Sequence, residues 1–120
     1  MMPPHPLACT WSIPHPGVAR LTVTGELDYE SQPALVRTAR EMLAAQPDCR
    51  TVRLDCGGLS FCDSSGLAAL LMVDRLVRSA GAALQLDNRS PELDRLLRRT
   101  SLLAHFTGTG AENAQRQRDS

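Results

Sequence analysis

The sequence predicts an α/β fold: an opening β-hairpin, then β-α repeats, giving a mixed, mostly parallel four-stranded sheet with helices packed mainly on one face. Three observations carry this expectation. Two strand-like segments at the start are joined by PHPG, a dense turn signal that makes an antiparallel hairpin. Strand and helix patterns then alternate, and such repeats run their later strands parallel through right-handed crossovers. Finally, the strands alternate apolar and polar residues rather than reading as continuous apolar runs, so one sheet face is less covered than the other.

Taken in order, ACTWSIP is the first strand, with Trp11 expected to help cover the core. GVARLTVTG is the second, Leu21 and Val23 on one side and Arg20, Thr22 and Thr24 on the other. SQPALVRTAREMLAAQ sets Leu35, Ala39, Met42 and Leu43 at helical spacing, with Ser31 as the expected cap, Pro33 in the first turn and Pro47 beyond the end. TVRLDC is the third strand, burying Val52, Leu54 and Cys56. SSGLAALLMVDRLVRSAG is a mostly apolar helix stopped at Gly81, and it is expected to be the most buried. AALQLDN is a short strand. SPELDRLLRRTSLL is a helix capped by Ser90, with Pro91 at its first position and Leu93, Leu96 and Leu97 facing inward. Its acids come early and Arg98 and Arg99 late, as the helix dipole favours. Residues 1–7 are expected to be a flexible N-terminus, 8–106 the single domain, and 107–120 a disordered polar tail.

Composition narrows the function classes. Thirteen basic residues, all arginine, balance thirteen acidic ones at a pI near 6.8. No global field draws such a chain onto nucleic acid or an anionic membrane, so a specific protein partner fits better. The start lacks a basic region and a long apolar run, and LAALLMV (67–73) is the longest apolar stretch, so neither a signal peptide nor a membrane span is expected. A cytoplasmic, reducing location follows, and Cys9, Cys49, Cys56 and Cys62, without CxxC spacing, read as packing residues rather than disulfides or zinc ligands. No metal and no cofactor are expected.

The stretch FCDSSGLAALL (61–71) places an acid and two hydroxyls where a strand passes into the buried helix, the end of an open α/β sheet at which ligands bind. Capping alone explains one such residue, worth about 1 kcal/mol. Three candidates in a row exceed what a cap needs. Gly66 then adds a residue that disfavours a helical first turn by up to about 1 kcal/mol, which makes sense where another surface must approach the backbone.

SFCDSSGLAALL resembles the phosphorylation motif of the STAS-domain anti-sigma-factor antagonists, and GELDYESQPAL resembles that family's lead-in to its first helix. With the matching element order, the resemblance runs over roughly residues 8 to 106, and the fold becomes a STAS-like sandwich. It implies that Ser65 is phosphorylated by an ATP-dependent anti-sigma serine kinase. Unphosphorylated antagonist binds that kinase and frees a sigma factor, phosphorylated antagonist lets go, and a PP2C-type phosphatase restores it. By the same resemblance Asp63 and Ser64 shape the acceptor loop and Asp28 lies near it. The expected docking surface is Asp28, Tyr29, Asp63, Ser64, Ser65, Gly66 and Leu67, the tyrosine serving either as an exposed anchor or as packing on its helix.

A phosphoserine adds about −1.5 to −2 charges. At a helix N-terminus the free donors and the dipole receive it, so phosphorylation is expected to break a docked interface and not the fold. Cys62 departs from the larger aliphatic residue more usual in the family, which thins the packing or adds redox sensitivity. Arg75 and Arg78 read as a solvated helix edge. A serine hydrolase is disfavoured because G-x-S-x-G is absent and His15 and His105 lack any tie to the serines, and no phosphate-binding G-x-x-x-x-G-K-[ST] loop exists. The protein is therefore expected not to be an enzyme. Two rivals keep the fold without cycling phosphate: a fixed STAS subunit of a lipid-transport ABC complex or of a stress-signalling scaffold, and a binding module in which Ser65 is only a cap.

Overall fold

The computed structural model describes residues 6–107. In chain order these form β1 (Ala8–His15), β2 (Val18–Leu27), α1 (Gln32–Ala45), β3 (Thr51–Cys62), α2 (Ser64–Ser79), β4 (Ala83–Asp87), α3 (Pro91–Arg99) and α4 (Leu103–Thr107). The sheet runs β1-β2-β3-β4, with β1 antiparallel to β2 and the other neighbours parallel. Gly17 makes the hairpin turn at φ 79°, a left-handed conformation that glycine adopts without a steric penalty.

Alternation along the strands sorts residues onto two different faces. Leu21, Leu54 and Leu86 are cross-strand neighbours and all buried, and Ala19, Val23, Val52 and Cys56 join them. Leu35 of α1, Leu70 of α2, Leu97 of α3 and Phe106 of α4 belong to the same core cluster, so helices cover this face. On the other face Ser12, Arg20, Arg53 and Gln85 form one row across the sheet, and Thr10, Thr22, Asp55 and Asp87 form the next. Arg53 grips Asp87 there with two hydrogen bonds, Nε to Oδ2 at 2.8 Å and Nη2 to Oδ1 at 3.1 Å. That polar face explains the alternation: it is the less covered one. As expected, α2 is the most buried helix, contributing Leu67, Ala69, Leu70, Val73 and Val77.

Several expectations need correction. Trp11 is paired with Leu21 and so lies on the helix side, yet it remains 36% exposed: α1 reaches Cys9 through Thr38, and β1 lies at the margin of the helix layer. Ser31 does not cap α1 with its side chain; its hydroxyl is turned back into the preceding turn. The third strand does not stop at Cys56 but continues through both glycines to Cys62. Thr24 of β2 occupies the space that a side chain on Gly58 would need, so glycine lets the two strands stay together there. The last helix ends at Arg99; Ser101 at φ 62° turns the chain, and α4 follows as a separate helix that brings Phe106 into the core. Leu43 and Leu96 are only partly buried. The expected flexible N-terminus (1–7) and polar tail (107–120) lie outside the described residues, apart from Pro6, Leu7 and Thr107. No helix among the described residues is long and apolar enough to cross a membrane.

Candidate functional site

Leu27 and Cys62, the last residues of β2 and β3, are partners in the parallel ladder. The chain therefore leaves the sheet twice at one place, through Asp28 and through Asp63, on strands about 5 Å apart. This register brings the GELD and DSSG segments together.

In the second exit, Asp63 is extended (φ −110°, ψ −167°) and its Oδ1 accepts the Gly66 N–H at 3.0 Å, while its carbonyl accepts from Leu67 N at 2.9 Å. The acid is thus the cap of α2. Among the described residues neither the Ser64 nor the Ser65 hydroxyl has a hydrogen-bond partner, so the two serines are left over from capping. Ser64 is exposed and Ser65 half-buried.

Gly66 and Leu67, expected on the docking surface, face inward instead. A side chain on Gly66 would collide with the Leu27 carbonyl and come within 2.9 Å of the Cys62 thiol. The surface that approaches this glycine is therefore the end of β2, and not a partner. Leu67 is 4% exposed and packs in the core.

In the first exit, Asp28 and Ser31 close a reciprocal turn. Asp28 Oδ1 accepts from Ser31 N at 3.0 Å, Asp28 N donates to Ser31 Oγ at 3.0 Å, and the Ser31 hydroxyl donates to the Glu26 carbonyl at 2.8 Å. Asp28 thus fixes the direction in which α1 departs. Tyr29, held on that turn, is 76% exposed, which resolves its two readings in favour of an open surface position.

Sequence reasoning missed Phe61. Read as part of a loop, it is in fact a strand residue, 48% exposed immediately before the acceptor turn. It lines a cavity of about 250 Å³ together with Leu59, Cys62, Glu92 and Leu93, between β3 and the start of α3. The signal was its place in an alternating run, hidden by the glycines.

Cysteine chemistry at the site is quiet. Burial, with the Asp63 carboxylate beside it, pushes the Cys62 thiol up to about 11, and burial pushes Cys56 up to about 12. Both remain protonated thiols at neutral pH, the unreactive form. His105 does have a tie, though not to a serine: its Nε2 lies 2.9 Å from Asp74 Oδ2, and Arg78 Nε lies 3.1 Å from the same oxygen. Arg78 is accordingly part of a cluster and not a merely solvated edge. Asp74 sits nine residues after Ser65 on α2, roughly 14 Å along the helix, so a Ser-His-Asp constellation cannot assemble. Among the described residues no group of three or more His, Cys, Asp or Glu is placed to hold a metal.

Comparison with known proteins agrees with this geometry. Residues 13–104 match the family described as Mlab, STAS domain. An anti-sigma F factor antagonist of Paenibacillus polymyxa is 30% identical over 83 residues, spanning 69% of this chain and 70% of its own. The crystal structure of an anti-sigma factor antagonist from Mycobacterium paratuberculosis has the same fold, with a TM-score of 0.72 at 22% identity over 98% of this chain and 99% of the other. So does the Bacillus cell fate determinant SpoIIAA in its phosphorylated form, with a TM-score of 0.63 at 22% identity over 91% of this chain and 98% of the other. With the sheet order, the paired strand exits and the match over residues 13–104 in agreement, the chain belongs to the STAS domain family.

Proposed function

We propose that this protein is an anti-sigma-factor antagonist, a cytoplasmic partner switch that carries its phosphate on Ser65. In its unphosphorylated form it binds an anti-sigma serine kinase and so releases a sigma factor; a PP2C-type phosphatase resets it. The observation that carries this reading is the division of labour at α2, where Asp63 caps the helix and leaves the Ser65 hydroxyl unengaged in the first turn. The similarity to an anti-sigma F factor antagonist supports the partner class.

The chemistry suits the place. The Ser65 oxygen takes the γ-phosphoryl group of ATP, its proton passes to a base of the kinase, and ADP leaves. The product sits at a helix N-terminus, where the dipole favours negative charge by about 0.3–1 kcal/mol. Asp63 stands two residues away with its own charge, so the local surface changes from weakly to strongly anionic. Any partner surface seated on Ser64, Ser65, Tyr29 and Phe61 then has to bury a doubly charged group, and it lets go.

The test is intact-mass measurement and phosphosite mapping after incubation with ATP and each anti-sigma-type kinase of the same genome. One phosphate on Ser65, absent in Ser65→Ala, is the expected result. A chain that takes no phosphate from any of them would instead be a fixed subunit.

A further inference from the structure

We infer that the outer edge of β1 is a self-association surface, pairing antiparallel with β1 of a second copy about a two-fold axis through Trp11. The two edges of the sheet differ in kind. β4 is five residues long and ends in Asp87, whose charge is held by Arg53. A short, charged edge of this sort resists pairing with another chain. β1 is eight residues long and has no Asp, Glu, Lys or Arg, and among the described residues no strand pairs with its outer side. Trp11 and Ile13 are 36% and 37% exposed on it. An uncharged edge with exposed apolar side chains is a template for another strand, because its unpaired N–H and C=O groups gain partners at once.

The occupant that fits is the strand itself. The free edge begins after Pro6 and ends at a shift of register between Ser12 and His15, where Ile13 and Pro14 bulge, and neither proline has an N–H to donate. The prolines limit pairing to this window, and a two-fold contact uses up the edge of each copy, so the assembly stops at two. With the axis at Trp11, Thr10 meets Ser12 of the partner subunit, Trp11 meets its own copy, and Cys9 reaches the start of the partner's bulge. Apolar residues then face one another on the helix side and hydroxyls on the open side, the cross-strand pairings that stabilise antiparallel sheets. The exits that carry Tyr29 and Ser65 follow β2 and β3, outside this contact.

The experiment is sedimentation velocity over about a hundredfold range of concentration, with the emission of Trp11, the one tryptophan in the chain, followed in parallel. A monomer–dimer transition with emission shifting to the blue is expected. Trp11→Lys and Trp11→Glu should each be monomeric, since two like charges then face across the axis, and an equimolar mixture should associate again. Ile13→Lys, at the second exposed position, should also be monomeric, with an unchanged far-UV circular dichroism spectrum and a melting temperature that no longer depends on concentration. The inference is overturned by a wild type that stays monomeric with constant emission, by a Trp11→Lys protein that still dimerises, or by charge variants that fail to recombine.

Discussion

Asp63 and the two serines after it look alike to a capping rule, since each side chain offers an oxygen to the N–H groups of a helix. The backbone decides among them: Asp63 is the extended residue immediately before the helix, so its carboxylate reaches Gly66 N, whereas Ser64 and Ser65 are already helical. Asp63→Ala should therefore lower stability by about 1 kcal/mol. Ser65→Ala should leave it within about 0.5 kcal/mol, the range of a surface change that breaks no bond. Urea unfolding of both variants checks this, and equal losses would return Ser65 to a capping role. Legibility at this scale was uneven. Ser90 and most of the buried leucines were readable because capping and periodicity are local; which of Asp63, Ser64 and Ser65 caps α2 was not, and neither was the inward seat of Gly66, because the carbonyl that fills its space belongs to Leu27, on another strand.

Elements show the same division. β2 and the first half of β3 follow from alternation, β1 from the PHPG turn that folds it back, and α1 to α3 from apolar spacing with prolines or capping residues at their starts. The second half of β3 did not, since two glycines in the middle of a strand normally weaken it. Its pairing with Thr24–Leu27 holds it in the sheet, and only that tertiary partner makes it a strand. α4 was hidden for a related reason: the break before it falls on Ser101, which adopts a left-handed conformation without being glycine. Asp55, on the sheet's open face, joins β3 to the turn after β4. Its Oδ1 accepts from Asn88 Nδ2 at 3.0 Å and from Gly57 N at 2.9 Å, and these bonds, with Arg20 nearby, hold its carboxyl below the usual 3.8. A folded value below the unfolded one means that the contribution is present above 3.8 and is lost as pH falls through the folded value. Asp55→Asn keeps both acceptor contacts but cannot titrate. In thermal melts from pH 7 to pH 2, wild type should lose more stability than Asp55→Asn below that point; parallel curves would refute the assignment.

For the molecule as a whole, the helices gather on one side of the sheet and the strand exits at one end. A phosphate on Ser65 adds charge at that end, while the core of Leu21, Leu54, Leu70 and Leu97 lies beneath the helices. Singly phosphorylated protein should therefore melt within about 2 °C of the unmodified form, the shift expected for a few tenths of a kcal/mol in a domain of this size. Differential scanning fluorimetry on phosphorylated and mock-treated samples decides it; a drop of about 10 °C would mean that the switch works by unfolding.

The bare polar face has a practical consequence. Thr22 and Arg20 lie on the face opposite the helices, and Thr22 lies well before the end of β2 that leads to Tyr29. A fluorophore or a surface tether attached at Thr22 would stand clear of the strand exits and of the packed interior, so that it could follow either without disturbing them.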